Sequence, residues 1–139
     1  LAYYVRSNNE QYQDVGNFVT QAGVDVERID DAVKVMLEQF AKIREEKVSE
    51  EELSKAKEYL KGRFTLELED SRNIASLFAT SELLEDRIRT PKEMLSEIDR
   101  VTASDIRKVA QEIFRHNTLN LAIIGPYKDR DRFSKLLHL

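Results

Sequence analysis

Leu1-Ala2-Tyr3-Tyr4-Val5-Arg6-Ser7 opens the chain with a two-residue alternation, Leu1, Tyr3 and Val5 pointing to one side of an extended backbone and Ala2, Tyr4 and Arg6 to the other. A second run, Asn17-Phe18-Val19-Thr20-Gln21-Ala22, follows Gly16 and is closed by Gly23. Asn8-Asn9-Glu10-Gln11 between them is polar and turn-prone, so the two runs predict an antiparallel hairpin of residues 2–7 and 15–22 with a long polar tip. Tyr3 and Tyr4 would face opposite sides, and only one phenol can join a core beneath the helices. Strand pattern at the first position predicts a chain that starts inside a domain, amino-terminally truncated, with no signal peptide before Leu1.

Beyond the hairpin the period changes to that of helices. Asp25 is placed to cap a helix whose apolar positions Ile29, Val33, Met36, Leu37, Phe40 and Ile43 recur at three- and four-residue steps. Ser49 and Glu52 form a capping box for a second helix carried by Leu53, Ala56, Leu60 and Phe64 to about Glu69. The phase shifts near Asp70-Ser71, where Ile74, Leu77, Phe78 and Ser81 begin a third helix or a kinked continuation. Thr90-Pro91-Lys92-Glu93 combines an N-cap, a Pro at the first helical position and a Glu at the third. Thr102 and Asp105 repeat that logic for a helix buried through Ile106, Val109, Ala110 and Ile113. Residues 119–124 form a short apolar run closed by Gly125-Pro126 and read as a buried strand, and a last short helix carries Phe133, Leu136 and Leu137. Strands segregated from helices predict an α+β fold in which an antiparallel sheet, the hairpin plus this late strand, carries helices on one face.

A chain of 139 residues predicts one domain, and 41% hydrophobic with 35% charged residues reads as soluble and globular. A net charge of −4 lacks the basic field of generic nucleic-acid binders, and no apolar run is long enough to span a bilayer. The cytoplasm is the default compartment. With no Cys there is no thiolate nucleophile, disulfide or Cys-based metal site.

The acidic clusters have ordinary explanations. Glu50-Glu51-Glu52 lies in a first helical turn, where carboxylates favour the macrodipole, and Arg44-Glu45-Glu46-Lys47 marks a helix end. His116 and His138 are the two imidazoles, far apart and in neither His-x-x-Glu-His nor His-Glu-x-x-His spacing, so no zinc site is predicted. His116 follows Phe114-Arg115 near a predicted helix C-terminus, where a surface position suits it. Four dispersed glycines exclude a phosphate-cradling loop.

Taken in series, Leu1 to Ser7, Tyr12-Gln13-Asp14-Val15-Gly16-Asn17-Phe18, Ala22-Gly23-Val24-Asp25, Glu51 to Lys57, Leu60-Lys61-Gly62, Leu66 to Ser71, Thr90-Pro91, Val101 to Ile106 and Ile124-Gly125-Pro126 resemble the pitrilysin/insulinase family of zinc peptidases. The branch it most resembles is that of the bacterial processing-peptidase-like proteins, and the resemblance runs along nearly the whole chain. It implies two related α+β halves enclosing a chamber, the amino-terminal half carrying the inverted His-x-x-Glu-His zinc motif and a later Glu ligand. This chain resembles the other, carboxy-terminal half. There an Arg and a Tyr contact the bound peptide. Tyr3 matches that Tyr in its Leu-Ala-Tyr context, and the Arg would fall before Leu1.

The resemblance thus implies a non-catalytic portion of a zinc metalloendopeptidase, inactive alone, that walls part of the chamber and orients peptide substrate through Tyr3. Zinc would sit in the amino-terminal half, which is the implied partner as a domain or subunit. A homodimer through an exposed sheet edge is a further expectation. The alternative is an inactive scaffold or interaction subunit of a peptidase-like assembly.

Overall fold

The computed structural model describes residues 2–85 and 87–139; Leu1, read above as part of the first strand, lies outside the described residues. The architecture is α+β. Strands β1 (Ala2–Gln11) and β2 (Gly16–Val24) form an antiparallel pair, followed by helices α1 (Ile29–Glu45), α2 (Glu50–Glu67), α3 (Ser71–Leu84), α4 (Pro91–Arg100), α5 (Ala103–Ile113) and α6 (Arg130–Ser134).

The hairpin is longer than its sequence suggests. Asn8, Asn9 and Glu10 pair with Val19, Phe18 and Asn17, and the turn falls after them, closed by a 2.9 Å bond from Tyr12 N–H to the Val15 carbonyl. Every residue of β1 is exposed, so polar side chains cost nothing on this ribbon while the ladder satisfies the backbone. Ser7 and Thr20, opposite one another, join their hydroxyls at 2.9 Å.

The late strand expected at 119–124 does not join the sheet, which has two strands among the described residues. The run keeps strand-like alternation, with Leu119, Leu121 and Ile123 half-buried and Asn120, Ala122 and Ile124 exposed. Its inner side chains pack on a helical core of Ile29, Val33, Leu37 and Phe133 rather than beside β2. Alternation is a local property of an extended backbone, whereas a ladder needs a second main chain at the right distance.

The chain forms two compact units, one of residues up to Lys47 with Arg107–Leu139, the other Val48–Ile106. In the first, Asp25 accepts from the Glu27 amide at 2.9 Å to cap a short 3-10 turn, Val26–Arg28, that leads into α1. Phe40 of α1 stacks on Phe114 with centroids 4.5 Å apart, and Phe18 of β2 meets both rings edge-on, which fastens the hairpin to the helices. At the other end of α1, Asp30 takes a two-pronged contact from Arg132 at 3.0 Å, and the Tyr127 hydroxyl donates to the Val26 carbonyl at 2.8 Å.

In the second unit Asp70 accepts from the Arg72 amide and starts α3 as a separate helix, resolving the phase shift near Asp70-Ser71. The Thr90–Glu93 capping box is complete, and Thr102 with Asp105 forms the same reciprocal pair before α5. Lys57 donates to the Asp99 carbonyl at 2.8 Å and Lys61 pairs with the Asp99 carboxylate at 2.9 Å, so α2 supplies cations to the C-terminal turn of α4. The apolar face read for α2 is only partly covered: Leu53 is buried and Phe64 half-buried, but Ala56 and Leu60 are exposed.

Candidate functional site

Tyr3 sits at a break in the ladder. Ala2 pairs with Val24 and Tyr4 with Gly23, which leaves Tyr3 as the extra residue of a β-bulge with no partner across the pair. Bulges unpair one residue and re-aim its side chain. Tyr3 is 81% exposed and Tyr4 44%, so neither phenol joins the core, contrary to the expectation that one of them would. Strict alternation does not carry through a bulge, and the helices contact the hairpin through Phe18 of β2 rather than through β1.

The neighbouring Tyr4 is held instead. Its ring crosses Gly23, where a Cβ would stand 2.5 Å from Tyr4 Cε1, and the Arg6 guanidinium lies 5.8 Å from its centroid on the same side. The Ala2-Tyr3-Tyr4 and Gly23-Val24 segments therefore meet across the pair. One tyrosine is fixed and the other is left free. A free phenol on a strand can donate its O–H to a peptide carbonyl while its ring lies against apolar side chains.

The structure stacks His116 and His138, whose rings are 5.6 Å apart at 11°. Sequence spacing gave no sign of this pair, because the contact depends on the path of the chain after α5. Among the described residues no three His, Cys, Asp or Glu side chains gather as a metal site. Two imidazoles without a third ligand do not fit a catalytic zinc, which needs three protein ligands and an open position. No helix among the described residues is long and apolar enough to cross a membrane.

A network of ion pairs in the second unit has a structural role. Hydrogen bonding to Glu85, then to Glu97, raises the pKa of Arg89, and Arg89 in turn lowers that of Glu85. Hydrogen bonds from the Thr90 backbone and hydroxyl hold Glu93 below the ordinary carboxylate value. Glu85 and Glu93 are exposed and Arg89 and Glu97 half-buried, and together they brace the entry to α4.

Residues 1–60 match the family model described as the Peptidase M16 inactive domain. An uncharacterized zinc protease of Streptomyces coelicolor is 30% identical over 130 residues, covering 94% of this chain and 28% of the relative. An uncharacterized zinc protease of Bacillus subtilis is 27% identical over 91% of this chain and 31% of its own. The Arabidopsis thaliana protein named "Probable mitochondrial-processing peptidase subunit beta" is 24% identical over 97% of this chain and 25% of its own. A chain of complex III from Candida albicans shares the fold with a TM-score of 0.70 at 21% identity, over 78% of this chain and 26% of that one.

The chain is thus similar over residues 1–60 to the Peptidase M16 inactive domain and along most of its length to bacterial zinc proteases and a processing-peptidase subunit. It corresponds to a non-catalytic portion of a peptidase-like protein and spans between about a quarter and a third of the length of these relatives.

Proposed function

We propose that this chain forms part of the wall of a peptide-binding chamber in a zinc peptidase and orients an extended peptide through Tyr3. The observation that carries this reading is the bulge at Tyr3, which leaves one phenol unpaired and 81% exposed beside a tyrosine that is pinned. The zinc, its bound water and the general base would come from the amino-terminal half, as a domain or a separate subunit, and the peptide would lie between the two. The test is Tyr3→Phe in a full-length peptidase containing this sequence. Loss of turnover with the fold intact supports the role, and unchanged kinetics overturns it.

A second reading, an inactive scaffold subunit, is supported by the match to a domain described as inactive. Chelator-sensitive peptide hydrolysis by the full-length protein would refute it.

A further inference from the structure

One residue of β1 is surplus because of how β2 ends. The pair is regular at Val5, which faces Ala22, and at Arg6, which faces Gln21; regular continuation would set Tyr3 opposite Val24 and Ala2 opposite Asp25. Asp25 is already engaged. Its side chain accepts from the Glu27 amide at 2.9 Å and its carbonyl from the Arg28 amide at 3.0 Å, in the turn that leads into α1. Val24 is held as well, packed against the core of Ile29, Val33, Leu37 and Phe133. Val24 is therefore the last ladder position of β2 and Ala2 occupies it, so β1 must leave out one residue between Ala2 and Val5. That residue can be Tyr3 or Tyr4.

The tyrosine that stays in the ladder faces Gly23, whose bare backbone leaves room for a ring. Tyr4 takes that room, its Cε1 standing 2.5 Å from where a Cβ on residue 23 would be. An aromatic ring laid across a glycine on the neighbouring strand covers backbone that no side chain shields. Arg6 favours Tyr4 for this place. It lies two residues along an unbroken stretch of strand and brings its guanidinium to 5.8 Å from the Tyr4 centroid, whereas a bulge at residue 4 would interrupt that stretch. The two tyrosines differ accordingly in exposure, 44% for Tyr4 and 81% for Tyr3. We infer that Tyr4 is a positioning residue for the peptide contact: seated on Gly23 beside Arg6, it makes Tyr3 the surplus residue and so presents the Tyr3 phenol to the substrate. This inference rests on the reading of Tyr3 as the residue that orients the peptide, and deepens it.

The test uses Tyr4→Ala and Gly23→Ala in a full-length peptidase containing this sequence, with steady-state hydrolysis of an internally quenched peptide and a crystal structure of each variant. Without the ring at residue 4, Tyr3 should take the place opposite Gly23 and the bulge should move by one residue. The kcat should then fall about ten- to a hundredfold, as for Tyr3→Phe, with a smaller change in KM and a folded protein in the thermal melt. Tyr4→Phe keeps the ring and should restore the turnover that Tyr4→Ala loses. In a Tyr3→Phe background Tyr4→Ala should cause no further loss, because the hydroxyl it positions is already gone; a role in stability alone would multiply the two losses. Gly23→Ala expels the ring from the same place, should lower kcat in the same way, and decides the matter if Tyr4→Ala does not fold. A Tyr3→Phe enzyme that is slow while Tyr4→Ala and Gly23→Ala are not, losses that multiply, or a bulge that stays at Tyr3 in both variant structures would each overturn the inference. Wild-type kinetics in Tyr3→Phe would overturn the reading of Tyr3 and this inference with it, a result distinct from those three.

Discussion

The Tyr4 ring lies across Gly23, so that a Cβ on residue 23 would stand 2.5 Å from Tyr4 Cε1 and 2.9 Å from Cδ1. No glycine has a positive φ, so the backbone at 23 accepts any L-residue and only the ring objects. Gly23→Ala should displace Tyr4 at about 0.5–1.5 kcal/mol. Restricting the unfolded chain offsets about 0.4–1 kcal/mol of that. The single variant should therefore be near neutral. The double-mutant cycle with Tyr4→Ala is the sharper measurement, and a coupling of about 0.5–1.5 kcal/mol is expected from urea unfolding. Zero coupling would mean that the ring leaves freely.

In a full-length peptidase, Tyr3→Phe keeps the ring and removes only the hydroxyl. A bond made mainly in the transition state should lower kcat by something on the order of ten- to a hundredfold with a smaller change in KM. Because Tyr3 is 81% exposed, the melting temperature should stay put. Steady-state kinetics and a thermal melt of the same preparation separate the two effects.

The Thr90–Glu93 box should make stability depend on pH. The Thr90 backbone N–H bonds Glu93 Oε2 at 2.7 Å and its hydroxyl does so at 2.8 Å, which lowers the folded pKa from the ordinary 4.5. The contribution is therefore complete above the unfolded pKa and is lost as pH falls through the folded value. Glu93→Ala should unfold earlier than wild type in urea at pH 7. The two midpoints should converge as the solution is acidified below the ordinary carboxylate range.

Core and rim aromatics should separate cleanly. Phe133 is 8% exposed and packs on Ile29, Val33 and Leu37, so Phe133→Ala should cost about 3–5 kcal/mol. Phe18 is 38% exposed and touches Phe40 and Phe114 by ring edges, so Phe18→Ala should cost about 1–2 kcal/mol. Chemical denaturation of the two variants tests the order, and a reversal would shift the centre of the core to the aromatic trio.

This chain alone should hold no stoichiometric zinc and cleave no peptide. Two stacked imidazoles lack the third ligand of a catalytic site. Elemental analysis after dialysis, with a peptide-cleavage assay with and without chelator, checks both statements.

The sequence by itself determined the elements whose causes are local. Side-chain oxygens of Ser49, Asp70, Thr90 and Thr102 reach amides two or three residues away, so the starts of α2 to α5 are written beside the helices they cap, and Asp25 does the same for the 3-10 turn before α1. The same holds for the hairpin, whose partners are joined by one short turn. Tertiary structure decided whatever depends on two distant segments meeting. It fixed the bulge that frees Tyr3, the approach of Tyr4 to Gly23, the fork between Asp30 and Arg132, and the stacking of His116 on His138. It also decided that residues 119–124, strand-like in pattern, pair with no strand among the described residues. Alternation is set by the backbone of one segment, but a ladder, a bulge or a ring contact is set by the distance between two, and that distance is a property of the packed chain.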